Sequence, residues 1–161
     1  MTSKQSCDLK SCFLCRNSLP DWITAIGHNK KNIQLRKGQS LFKAGEPVNG
    51  IYFVYDGILK VHKNWNHDKE IILRFARRGD IVGHLGLGDE IIYPVAATAV
   101  GPAMVCFIDM AFFESTLNVN GAFVKQLMRF FANELQQADE KVKNLVHMPV
   151  KARVAQALLS L

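Results

Sequence analysis

The stretch that decides the fold runs from Gly79 to Ile108, GDIVGHLGLGDEIIYPVAATAVGPAMVCFI, where glycine-punctuated turns separate short apolar strands and Cys106 stands in the last of them. The same cadence extends backwards to Ile33, with turn signals at KGQ, AGEPVNG, DG, NWNHD, RRGD, GLGDE and VGP between apolar runs. In IYFVYDGILKVHK the Asp56-Gly57 pair lies between two such runs. Glycine tolerates the positive φ of a tight turn, so this pair predicts a hairpin. EIILRF and PVAATAV supply further strands. Strands that are apolar at nearly every position need both faces covered, which predicts a closed, jelly-roll-like double-stranded β-helix. The expected fold is mainly β plus α.

Beyond Asp109, a predicted N-cap, the period becomes helical: a short MAFFESTL helix, a break over Asn118 to Gly121, then an unbroken segment to Met148. Within it Phe131, Leu135, Ala138, Val142 and Leu145 alternate spacings of four and three, the a/d seam of a coiled coil. A helix of about 27 residues is about 40 Å long and overreaches a small barrel. The seam therefore predicts a homodimer, the alternative being a stripe packed on the barrel. Pro149 ends this helix and VKARVAQALLSL begins another amphipathic one. At the other end Cys7, Cys12 and Cys15 form C-x4-C-x2-C in a polar segment with no periodicity before Leu19. PDWITAI then carries a proline and an acidic residue at a helix start, with Trp22, Ile23 and Ile26 at helical spacing.

A chain of 161 residues with 48% hydrophobic and 21% charged composition suits one globular domain with an appendage. No apolar run approaches the roughly 18 to 20 residues needed to span a bilayer, and the N-terminus lacks a signal peptide's apolar core. A cytoplasmic protein without a membrane partner is expected. In that reducing compartment four cysteines are metal ligands, redox sensors or buried apolar residues rather than disulfides. The net charge of +6 is scattered along the chain and by itself says little about a polyanionic partner.

KGQSLFKAGEPVNGIYFVYDGILKV, the GDIVGHLGL cassette, a long helix ending EKVKNL and the final VKARVAQALLSL together resemble the CRP/FNR family of transcription regulators. The resemblance covers nearly the whole chain. It implies a Cys-containing segment over residues 1–18, a cyclic nucleotide-binding-like β-roll over 19–120, a dimerisation helix over 121–148 and, over 149–161, the first helix of a winged helix-turn-helix domain that is missing here. It implies a homodimer that responds to a small-molecule or redox signal and meets DNA only through that missing domain.

The resemblance also implies a ligand pocket made of Gly83, His84, Leu85, Gly86, Tyr93 and Pro94 with Glu134, Ala138 and Asp139 from the long helix. cAMP-binding members carry a glutamate where this chain has His84, and an Arg-Ser pair that neutralises the cyclic phosphate where it has Tyr93-Pro94. Their Arg, Thr and Ser on the helix stand here as Glu134, Ala138 and Asp139. Between Gly79 and Gln126 the one cationic residue is Lys125. Burying a phosphate monoanion without a cation costs several kcal/mol, so cAMP is not expected by the usual contacts, and an uncharged or different effector remains open. His84 is expected half-exposed at the pocket rim.

FNR-type members instead hold an iron–sulfur cluster on N-terminal cysteines and one in the β-roll. By that resemblance Cys7, Cys12, Cys15 and Cys106 are the ligands, four thiolates being what such a centre requires. The family's N-terminal spacing is C-x2-C-x5-C, whereas C-x4-C-x2-C is nearer a plant-type ferredoxin run. A zinc site on the N-terminal cysteines and a buried, merely apolar Cys106 are the alternatives. A cupin-type enzyme would need convergent histidines, but His28, His62, His67, His84 and His147 stand singly and no nucleophile-plus-base motif occurs. No enzymatic activity is expected.

Overall fold

A computed structural model describes residues 7–161. Two antiparallel four-stranded sheets form the β-roll. One has the order β1-β8-β3-β6, built from β1 (Lys31–Leu35), β3 (Gly50–Asp56), β6 (Ile81–Val82) and β8 (Ala103–Asp109). The other has the order β2-β7-β4-β5, from β2 (Ser40–Phe42), β4 (Leu59–Asn66), β5 (Lys69–Ala76) and β7 (Ala96–Ala99). The helices are α1 (Phe13–Asn17), α2 (Ile23–Asn29), α3 (Met110–Val119), α4 (Gly121–His147) and α5 (Val150–Leu159). This mixture of antiparallel sheets with a long C-terminal helix is the expected architecture.

The unbroken apolar character of β3 and β8 has a simple cause: their sheet is covered on both faces. Successive side chains in a strand point to opposite sides. Tyr52, Val54, Ala103 and Val105 enter the core between the sheets, together with Leu35, Phe42, Val61, Tyr93 and Ala97. Their neighbours Ile51, Phe53, Cys106 and Ile108 belong to the opposite face and are equally buried. Ile51 pairs with Ile108, and Phe53 with Cys106. Against that outer face lie α1 and α3, where Phe13 and Phe113 each meet Phe123 edge-on at 5.9 and 6.2 Å.

Two local expectations need correction. The Asp56-Gly57 turn forms, with Gly57 at φ +86°, but it closes no hairpin. β3 pairs with β6 and β8, while β4 pairs with β5 and β7, so the turn hands the chain from one sheet to the other. A Cβ at position 57 would meet Pro102 O at 2.6 Å, so close packing here demands glycine as much as the dihedral does. The hairpin is instead β4–β5, which turns at His67 and Asp68. The cysteine segment, expected to lack regular structure, contains α1. Cys12 caps it, its sulfur accepting from Cys15 N at 3.5 Å, and Phe13, Leu14 and Cys15 are buried.

Asp109 caps α3 by accepting from Phe112 N at 2.8 Å. Trp22 stacks on Phe112 at 5.5 Å and donates its indole N–H to Thr116 Oγ1 at 3.0 Å. The described chain divides into a compact unit ending at Phe123 and a second, Val124–Leu161. Within the second unit Pro149 separates α4 from α5, and Asn144 Nδ2 donates to Gln156 Oε1 at 2.8 Å across that break.

Candidate functional site

The cassette folds as β6 followed by a 3-10 turn, His84–Leu87. Gly83 precedes that turn at φ +89°. The left-handed residue swings His84 inward, where it is only 2% exposed, and leaves Leu85 outside. His84 is therefore a buried residue, not the half-exposed rim residue expected. Tyr93 is buried too and occupies the roll beneath the cassette. Its ring stacks on Phe42 at 4.1 Å, and its hydroxyl donates to Gly50 O at 2.8 Å. A Cβ on Gly83 would stand 3.2 Å from the Tyr93 ring, and one on Gly86 would collide with Val48 and crowd Tyr93 at 3.3 Å. Gly83, Gly86 and Tyr93 thus come together, but as packing partners. Pro94 faces solvent. Glu134, Ala138 and Asp139 lie on α4 in the second unit. An open cleft of about 500 Å³ lies elsewhere, on the β4–β5 hairpin beside Trp65, Asp68, Lys69, Glu70 and Ile71.

The four cysteines, by contrast, gather on the outer face of the first sheet, and all are buried free thiols. Cys106 stands close enough to Cys7 and Cys12, and Cys12 to Cys15, for each to shift the other's acidity. Two of these thiols are made more acidic. The Cys106 thiol, against the opposing effect of burial and with help from Lys30, holds Cys7 down to about 6. The neighbouring Cys106 and Cys15 hold Cys12 down to about 3. The other two move the opposite way: the nearby Cys12, followed by burial, pushes Cys15 up, and the nearby Cys12 and Cys7, followed by burial, push Cys106 up.

Such a set of soft donors from two chain segments suits a thiolate-bound metal centre. Among the described residues no three His, Cys, Asp or Glu side chains stand in the ready-made arrangement of a single bound ion. A centre of that kind is held by thiolates, so metal binding must release the thiol protons.

Two further residues complete the site and were not foreseen. Lys30 Nζ donates to Cys7 Sγ at 2.8 Å and to Asn32 Oδ1 at 3.2 Å, and the same Asn32 oxygen accepts from Cys106 Sγ at 3.3 Å. In HNKKN the lysine reads as one of several solvated charges. The usable signal was Asn32 falling opposite Cys106 once β1 and β8 are paired.

On α4 the five seam residues are present at the expected spacing. Leu135 is 66%, Val142 60% and Leu145 63% exposed, Ala138 is exposed and Phe131 is half-buried. No described helix is long and apolar enough to cross a membrane.

The family model described as "Cyclic nucleotide-binding domain" matches residues 32–120. The "Anaerobic regulatory protein" of Pasteurella multocida is 31% identical over 144 residues, covering 88% of this chain and 50% of that protein. The "Fumarate and nitrate reduction regulatory protein" of Vibrio cholerae is 31% identical over 150 residues, covering 92% and 58%. The "cAMP-activated global transcriptional regulator CRP" of Salmonella typhimurium is 32% identical over 126 residues, covering 76% and 59%. The chain thus spans about half the length of the curated relatives it matches. Among solved structures, the sensor domain of the transcriptional regulator DNR from Pseudomonas aeruginosa superposes with a TM-score of 0.68 at 20% identity, covering 80% of this chain and 86% of that one. The Thermus thermophilus Catabolite Activator Protein gives 0.70 at 18% identity, covering 83% and 63%. At these identities the structural likeness speaks for the fold alone. With the family model spanning more than half of the chain, the conclusion is direct: this chain belongs to the cyclic nucleotide-binding domain family, among proteins of the CRP/FNR type.

Proposed function

We propose that the chain is the sensing and dimerising part of a DNA-binding transcription regulator, and that its signal is read by an iron–sulfur centre held on Cys7, Cys12, Cys15 and Cys106. The observation that carries this reading is that Cys7 and Cys106, some hundred residues apart, are joined through Lys30 and Asn32 on the face of β8 away from the roll interior, with Cys12 and Cys15 also buried as free thiols. The relatives named for anaerobic regulation and for fumarate and nitrate reduction, aligned over most of the chain, support it. A centre of this kind supplies one-electron chemistry and sensitivity to oxidants. The filled space beneath the cassette argues against cAMP as the effector.

The chain's own residues supply the relay. Cys15 lies in α1, and a few residues on, Leu19 donates its backbone N–H to the side chain of buried Asn120 at 2.7 Å. Asn120 in turn donates to Thr116 O at 3.0 Å, and α4 begins at the next residue. Holding or releasing the four thiols therefore biases the clasp that sets the start of α4. The exposed seam of Phe131, Leu135, Ala138, Val142 and Leu145 then pairs two copies, so that the signal acts as a shift between monomer and dimer populations. DNA contact belongs to a further domain beyond these elements.

The test is the absorption spectrum of protein purified without oxygen. A brown protein whose visible charge-transfer bands bleach in air is expected. A colourless protein carrying zinc on the same thiols, or no metal at all, would overturn the iron–sulfur reading.

A further inference from the structure

Lys30 sits where two elements fix its backbone. It closes α2, its N–H donating to Ile26 O at 2.9 Å, and it immediately precedes β1. Its half-buried side chain then reaches Cys7 Sγ at 2.8 Å and Asn32 Oδ1 at 3.2 Å. Asn32 stands directly opposite Cys106 in the β1–β8 ladder and accepts from its thiol at 3.3 Å. One ammonium and one amide oxygen thereby link a cysteine of the N-terminal segment to the distant cysteine of the strand.

We propose that Lys30 is a positioning residue of the thiol site: anchored on Asn32, its ammonium draws Cys7 toward Cys106 and offsets the negative charge that four thiolates gather around an iron–sulfur centre. This rests on the iron–sulfur reading above and adds a regulator of its redox poise. Four thiolates leave such a centre with net negative charge, and one-electron reduction adds another negative charge. A fixed cation within hydrogen-bonding distance of one ligand stabilises the reduced form more than the oxidised form. Lys30 therefore raises the midpoint potential, and Asn32 keeps the lysine from swinging out to solvent. Arginine retains the charge with a different donor geometry, whereas methionine keeps much of the length and apolar stem and removes the charge.

The experiment compares the parent chain, K30M and K30R, each reconstituted anaerobically with ferrous iron and sulfide. Iron is counted, and dithionite reduction is followed by absorbance. Parent and K30R should load equally with closely similar potentials. K30M should load with a reduction equilibrium shifted roughly tenfold toward the oxidised form, about 59 mV lower for one electron. K30M failing to load while K30R loads would also support the assignment, since the two differ in charge. A loaded K30M with the parent's potential, or a K30R as impaired as K30M, would overturn the role of Lys30 and leave the centre itself standing. A parent that takes up no iron would overturn both.

Discussion

Strand β8 has two sides of opposite character, and comparing them separates packing from reactive chemistry. Inward, Ala103 and Val105 join Phe42, Tyr52 and Tyr93 in a close-packed interior. There Tyr93 stands at the place where cAMP-binding relatives were expected to carry their phosphate-neutralising arginine. Outward, Cys106 donates to the Asn32 amide oxygen, which also accepts from the Lys30 ammonium, and lies beside Cys7 and Cys12. Shape and dispersion stabilise the first side. The second is built of groups that exchange protons and bind soft metals. The lesson is that a roll can keep its family's cassette while its interior is filled, with reactive chemistry placed on the opposite face of the same sheet.

The comparison can be broken from several directions. The largest expected effect belongs to Tyr93→Ala, which removes the stack on Phe42 and the bond to Gly50 and leaves a cavity. Denaturant unfolding should show a loss of about 3–5 kcal/mol, while a loss below about 1 kcal/mol would mean that Tyr93 does not seal the interior. Next, Leu135→Glu inserts a carboxylate into the exposed seam. Association should weaken at least a hundredfold, roughly 3 kcal/mol, and sedimentation of an unchanged dimer would place the dimer contact elsewhere.

A smaller effect concerns the acid sensitivity of the second sheet, where His62 lies in β4. Burial holds the His62 imidazole below its ordinary value, partly countered by the attraction of Glu70. As pH falls, the unfolded chain takes up this proton before the folded one does. The stability His62 contributes is thus complete above its unfolded value and is lost as pH falls through the lower folded value. His62→Asn should flatten that part of the stability profile, and an unchanged profile would remove His62 from the account. The smallest effect is a null one: calorimetry with cAMP should show no binding in the micromolar range. A micromolar dissociation constant, about −8 kcal/mol, would show that Tyr93 yields and that some cation reaches the phosphate.

Much of this was readable from local patterns. The Asp109 cap, the break before Gly121, the stop at Pro149 and the glycine-punctuated strands all appear where the sequence places them, because each rests on the preferences of neighbouring residues. The β3–β4 pairing was misread for the converse reason. Asp56-Gly57 specifies a turn, but which strands pair across it depends on which faces must be covered. α1 was too short to show a period. The burial of His84 hangs on the left-handed Gly83, which composition cannot reveal. Tyr93 was legible as a missing cation and not as a filling side chain, since volume complementarity with Phe42 is a property of the folded interior. The cysteine quartet came from family resemblance rather than spacing, and Lys30 and Asn32 became visible only once β1 lay beside β8.

In the proposed reading Cys106 completes a four-thiolate centre with the N-terminal cysteines. Its most direct test is to reconstitute the parent chain and Cys106→Ser with ferrous iron and sulfide under anaerobic conditions, and to count both elements per chain. Because serine keeps the size of the side chain while removing the sulfur, the fold of the strand should survive. The account predicts a stable, stoichiometric centre in the parent and none in the variant. An iron-free parent, or a variant that retains the parent's iron and sulfide, would contradict it.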